Sequence, residues 1–300
     1  MLPQNYKEQI FECVDELWSV WRSFGVYSDG AVSSMALEEA IIGLCIWGRY
    51  DQRLFDEAFS FIMQHSRFIS KNRLLYLFNK VDSDSKKVYH VIAAGLKQMN
   101  NDSRFFTELT DKETVKEQPF FISLHNAVLF TGRREDALFS QFGFKRNIFT
   151  KSNKLRNLSF VAENNQWIKA KLVFGNTVKA DTVMELVCNK NCTAPAIAYN
   201  TGYTQKSVWN VLTDYESAGL VTAKKSFNRI LYSLSNNGEK LFMPFKIQTK
   251  LTKLSTWLKT GHFLAALNIL PDDASDELLR SEEIRTEKLI SNLNLDKKEY

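Results

Sequence analysis

The chain has 300 residues, 44% of them hydrophobic and 24% charged, with only 12 glycines and 5 prolines. This profile excludes a disordered, fibrous or collagen-like chain and favours long helices over a β sandwich. The net charge of +5 is compatible with a polyanionic partner without establishing one.

Apolar residues at Ile10, Phe11, Val14, Leu17, Trp18 and Trp21 recur at helical spacing and predict a first helix over 6–25. The loop "GVYSDGAVSS" separates it from Leu37–Trp47, a nearly all-apolar run that reads as a central helix. Arg53–His65 places Leu54, Phe55, Ala58, Phe59 and Ile62 on one face of a third helix. "ISKNRLLYLFNKV" predicts a fourth, with Ser70 in position to cap it, and Lys86–Met99 a fifth. Residues 1–100 therefore read as a helical domain. Residues 101–164 read as a connector. Its stretch "LFSQFGFKRNIFTKSNKLRNLSF" is basic with interleaved aromatics and has two readings: a nucleic-acid surface, or a linker whose phenylalanines pack.

From Asn165 the helical pattern resumes. Asp181–Cys188 forms a short helix, Thr193 caps the next, and Pro195 sits in its first turn, where the missing N–H costs nothing. Thr204 caps a helix over Thr204–Ala218 whose apolar stripe is Val208, Val211, Leu212 and Tyr215. Its opposite face offers Gln205, Lys206, Trp209, Asn210 and Thr213. Ala198 is small where two helices must approach closely, and Gly202 permits the positive φ of a tight turn. An extended run from Leu220, a turn at "KSFN" and the alternating "RILYSL", with Ile230, Tyr232 and Leu234 on one side, predict a two-stranded hairpin. Two tail helices follow, over Lys250–Asn268 and Ser275–Leu293. Leu251, Leu254, Trp257 and Leu258 line one face, either as a homodimer seam or as packing on the chain itself.

The order of helix, helix, turn, helix, strand, basic turn and strand is that of a winged helix-turn-helix. "SVWNVLTDYESAGLV" and "RILYSLSNNGEKLF" resemble the recognition helix, wing and following helix of transcription regulators of the multiple-antibiotic-resistance repressor type, over about residues 179–242. The wing departs from that family in lacking its acidic-basic pair. More loosely, "LWSVWRSFGV", "WGRYDQRLFDEAFSFI", "SKNRLLYLF" and "KLVFGNTVKADTVMELV" resemble bacterial proteins that end in a winged helix. The resemblance implies a mainly α fold: an N-terminal helical domain, a winged helix-turn-helix over 165–245 with a two-stranded wing, and a helical tail over 246–300.

It also implies a sequence-specific regulator of transcription that binds double-stranded DNA, in the setting of a self-regulated defence or toxin–antitoxin operon. The residues expected at DNA are Thr204, Gln205, Lys206, Ser207, Trp209, Asn210 and Thr213 on the helix and Lys224, Lys225, Asn228 and Arg229 on the wing. The alternative is a protein-interaction scaffold or antitoxin whose winged helix packs instead of binding DNA, with a protein partner at the N-terminal domain.

No nucleophile elbow, phosphate loop or histidine–carboxylate constellation is legible, so an enzyme is not expected. Cys13 and Cys45 read as core residues, Cys188 and Cys192 are spaced too widely for a C-x-x-C pair, and His65, His90, His125 and His262 are scattered. Neither a metal nor a cofactor is expected. "AIIGLCIWG" is too short to span a bilayer and no cleavable signal is read, which makes a cytoplasmic location the expectation.

Overall fold

The computed structural model describes residues 4–27, 30, 32–105, 117–123, 134–247, 250–251, 254–267, 280–282, 284–286 and 288. Five helices open the chain: α1 (Gln4–Ser23), α2 (Leu37–Trp47), α3 (Gln52–His65), α4 (Lys71–Phe78) and α5 (Ser83–Asn100), with a two-residue strand β1 (Ser33–Ser34) before α2. α5 begins earlier than its apolar spacing implies, because the Asp82 carboxylate accepts the N–H groups of Asp84 and Ser85. One predicted cap is corrected. Ser70 occupies the N-cap position of α4 but its side chain makes no cap bond. Its N–H donates to the Glu38 carboxylate, and its hydroxyl turns away to the Tyr203 hydroxyl at 3.4 Å.

Short elements follow: β2 (Gln118–Pro119), α6 (Ala137–Ser140), β3 (Phe144–Lys145) and α7 (Leu158–Asn164), with β2 and β3 paired in parallel. Phe139, Phe142, Phe144 and Phe149 of the basic aromatic stretch are buried in one core with Trp21, Leu44, Phe55 and Phe59. Arg146 is buried among them. It pairs with Asp56 at 2.8 Å, and its guanidinium lies 4.6 Å from the Phe139 ring centre. For these residues the packing reading applies. The predicted connector residues 106–116 and 124–133, His125 among them, lie outside the described residues.

The next elements are α8 (Gln166–Phe174), α9 (Val178–Cys188), α10 (Ala194–Thr201), α11 (Gln205–Ser217), strands β4 (Val221–Ser226) and β5 (Arg229–Leu234), and α12 (Asn236–Phe242). β4 and β5 are antiparallel from Val221↔Leu234 to Ser226↔Arg229. Two small cores hold this part together. One joins Leu186, Ile197, Ala198, Val208, Leu212, Val221 and Tyr232. The other joins Trp167, Ala180, Val183, Met184, Phe242 and Phe245.

The chain then returns to its first helices. β6 (Lys250–Leu251) pairs in parallel with β1, and α13 (Leu254–Leu267) lies on α2. Leu254, Trp257 and Leu258 of the predicted apolar face are buried there against the chain itself, whereas Leu251, expected on the same helix, falls in β6. Gly43 makes the fit possible, since any side chain there would collide with the Trp257 ring. Most of the second predicted tail helix lies outside the described residues; 280–282, 284–286 and 288 are helical. The described part is mainly helical with a small antiparallel hairpin, and none of its helices is long and apolar enough to cross a membrane.

Candidate nucleic-acid interface

The helix pair α10 and α11 is built by local chemistry that the sequence makes explicit. The Thr193 hydroxyl accepts the Ala196 N–H at 3.2 Å to start α10, with a proline in the first turn. Gly202 closes that helix in the left-handed conformation, φ +71°, and its N–H donates to the Ala198 carbonyl. Thr204 starts α11 by accepting the Ser207 N–H at 3.2 Å. Val208, Val211 and Leu212 are buried beneath it, and Tyr215 packs half-buried beside Phe242.

The other face of α11 is open. Gln205, Lys206, Trp209 and Asn210 are exposed, with half of the Trp209 surface accessible. Residues 205, 206, 209, 210 and 213 fall on one side of a 3.6-residue repeat. The predicted members are not equivalent. Thr213 is half-buried. The hydroxyls of Thr204 and Ser207 lie 2.8 Å apart and serve the helix cap, so they hold the helix start in shape. Gln205, Lys206, Trp209 and Asn210 leave donors, acceptors and a ring open to solvent.

The hairpin carries the remaining predicted residues. Lys224, Lys225, Asn228 and Arg229 are all exposed. Strand alternation divides them between two faces. The register Lys224↔Leu231 and Ser226↔Arg229 places Lys224 and Arg229 on one face; Lys225, opposite Ile230, lies on the face that leads down to Tyr232 and Val221. A third strand position is supplied by Cys192, which exchanges two backbone hydrogen bonds with Tyr232 at 2.9 and 2.7 Å. Residues 217–238 contain no acidic side chain. Phe227 is not among the expected site residues. It sits at the two-residue hairpin tip, 96% exposed, with φ +52°. Its signal in the sequence is an aromatic residue inside a turn, where glycine, asparagine and aspartate are usual.

Behind α11 lies a seam of buried charge that joins the two halves. Lys171 of α8 reaches the Glu38 carboxylate at 2.6 Å and the Phe68 carbonyl at 2.8 Å. Arg73 of α4 pairs with Glu39 at 2.8 Å and lies 3.7 Å from Asp181 of α9. Burial works against the charge of Glu38, but Lys171, Arg73 and the Ser70 N–H outweigh it and hold the carboxyl below its usual range. For Asp181 the balance reverses. Burial raises its pKa despite the nearby Lys171 and Arg73, with the Glu38 charge adding to the rise. Arg73 is also buried, which opposes its charge; Glu39, Asp181 and Glu38 more than compensate and drive its pKa upward. Tyr203, immediately before the α11 cap, is pushed up to about 12 by burial and by the Asp181 charge.

The turn between α10 and α11 rests on α4. A Cβ at Gly202 would stand 3.0 Å from the Asn72 carbonyl oxygen and from the Arg73 Cα. A second contact joins α10 to the same helix: Lys80 donates to the Tyr76 hydroxyl at 2.7 Å and the Tyr199 hydroxyl at 3.3 Å. The turn thus rests on the helical array while Gln205, Lys206, Trp209 and Asn210 of α11 stay open to solvent.

A cavity of about 840 Å³ opens elsewhere, beside α1, β1 and α13, and is lined by Glu12, Asp15, Glu16, Ser19, Lys259 and Thr260 among others. None of the expected DNA-contact residues lines it. Among the described residues no group of three or more His, Cys, Asp or Glu is placed to hold a metal ion. Compared with family models, with curated proteins and with solved structures, the chain finds no match.

Proposed function

We propose that residues 178–242 act as a winged helix-turn-helix that binds double-stranded DNA, with α11 in the major groove and the β4–β5 hairpin as the wing. The observation that carries this reading is the exposed ridge of Gln205, Lys206, Trp209 and Asn210 on a helix otherwise buried through Val208, Val211 and Leu212, beside an acid-free hairpin with exposed lysines. Glutamine and asparagine pair bidentately with an adenine edge, and lysine takes guanine or phosphate. Trp209 would pack on a sugar or a thymine methyl. The split of the wing cations allows Lys224 and Arg229 to follow one phosphate strand while Lys225 addresses the other side.

The role this implies is transcription regulation in the cytoplasm, including self-regulation of a defence or toxin–antitoxin operon, with no catalytic step. A gel shift or anisotropy titration against the protein's own promoter tests it. Lys206→Ala and Asn210→Ala are each expected to weaken sequence-specific binding by about 1–3 kcal/mol, the worth of one good bidentate base pairing. Affinity unchanged in both variants would take α11 out of the groove.

One set of residues favours a second reading. Trp209, Phe227 and Ile230 are exposed apolar side chains, and a protein-binding module would use them without the lysines. Salt separates the two. A DNA complex in which ~4–6 phosphates are neutralised weakens steeply as salt rises, whereas a protein scaffold gives no DNA shift at any salt.

A further inference from the structure

The basic aromatic stretch is only partly absorbed by the core. Within it, Lys145 is paired with Glu117 and Arg146 with Asp56. Lys151, by contrast, is exposed, and the Ser152 N–H donates to Ser60 Oγ of α3 at 2.8 Å, which brings this segment against α3. At the end of α3, His65 has its pKa pushed down to about 4, first by burial and then by the charges of Arg67 and Lys151. The Ser152–Ser60 contact and the position of Arg67 two residues after His65 place both cations along α3 and its end.

Arg67 continues the line. It is exposed, in the short turn Ser66–Phe68, and its carbonyl and that of Ile69 accept from the Asn176 side chain at 3.0 and 2.8 Å. Ser70 touches Tyr203, and the exposed Lys71 and Asn72 follow directly, where the Gly202 turn rests on α4. Among the described residues, Arg67, Lys71 and Lys151 make no ion pair. The line ends beside Gly202, just ahead of the Thr204 cap of α11.

From this placement we infer that Lys151, Arg67 and Lys71 form a strip on the helical array that holds duplex phosphates and extends the DNA footprint beyond α11 and the hairpin. The inference rests on the DNA reading above. Its physical basis is simple: unpaired exposed cations bordering a groove-binding helix lie where the polyanion continues, and each phosphate they neutralise releases counterions. Such contacts position the protein and carry no base information.

The test uses the full chain with the triple variant Lys71→Ala, Arg67→Ala, Lys151→Ala. Affinity is measured against salt on a short duplex and on one extended by a helical turn at each end. Removing these three cations is expected to flatten the slope of log K against log salt by roughly 2–3. The parent is expected to gain affinity on the longer duplex and the variant to gain much less, with equal melting temperatures. Should the triple variant not fold, Lys71→Gln alone is expected to flatten the slope by about 1. An unchanged slope and length response, in a protein whose Lys206→Ala variant binds its promoter more weakly than the parent, would overturn the strip and leave the DNA reading standing. A parent that binds no duplex at any salt would overturn both.

Discussion

The helical array and the hairpin module beneath α11 differ in how they place their aromatic groups. In the helical array, Trp21, Trp47, Phe55, Phe59 and Phe120 are fully buried, and even Arg146 is enclosed among phenylalanines. In the C-terminal part, the core beneath α11 is small and built mostly from Val, Ile, Ala and Leu, while Trp209 and Phe227 face outward. Charge divides instead between the seam, to which both halves contribute, and the open surface. Glu38, Lys171, Arg73 and Asp181 are hidden at the seam, and Lys206, Lys224 and Lys225 stand in the open. The C-terminal part has small cores of its own and also meets the larger array. It meets α2 and α4 at the seam, where Lys171 pairs with Glu38 at 2.6 Å and Arg73 lies 3.7 Å from Asp181.

Substitutions that break or sharpen this contrast should differ in size. Lys171→Met leaves Glu38 buried without its main partner, and a broken buried pair is expected to cost about 3–5 kcal/mol in denaturant unfolding. Removing both partners, as Glu38→Gln with Lys171→Met, should recover much of that stability. A cost below about 1 kcal/mol for the single change would show that the seam is not where the halves are joined.

A smaller effect is expected at the turn. Gly202→Ala puts a side chain at φ +71° and a methyl against the Asn72 carbonyl, at a cost of about 1–2 kcal/mol from the left-handed backbone alone. Faster amide exchange at the start of α4 should accompany the drop in stability. The exposed ridge should show the least. Lys206→Ala and Asn210→Ala are expected to shift unfolding by no more than about 0.5 kcal/mol while weakening DNA binding. A larger destabilisation would mean that the ridge serves the fold.

Much of the local structure is legible in the sequence because it rests on short-range chemistry. The Thr193 and Thr204 caps, the left-handed Gly202 and the Lys225↔Ile230 end of the hairpin are all dictated by residues a few positions apart. The Ser70 cap escapes such reasoning because its hydroxyl meets that of Tyr203, far away in the chain, and makes no bond to the first turn of its own helix. The seam has one faint signal, Glu38 inside the nearly all-apolar Leu37–Trp47 run. A charge on a helix that reads as central needs a partner, but nothing in the spacing points to Lys171. The candidate site is legible in its helix and hairpin. Its supports, and the strip at Lys71, depend on how α4 meets the Gly202 turn, which only the assembled chain displays.

The chain enters the C-terminal module from the array at α7 and comes back to the array at α13, where Trp257 sits in the notch left by Gly43 and β6 lies along β1. The module is therefore moored at both ends, not hung as a pendant. A protease cut at the hairpin tip would sever the covalent chain yet leave two fragments clamped together, each carrying part of the same unit. Among the described residues, a displacement of the module would therefore load both moorings at once.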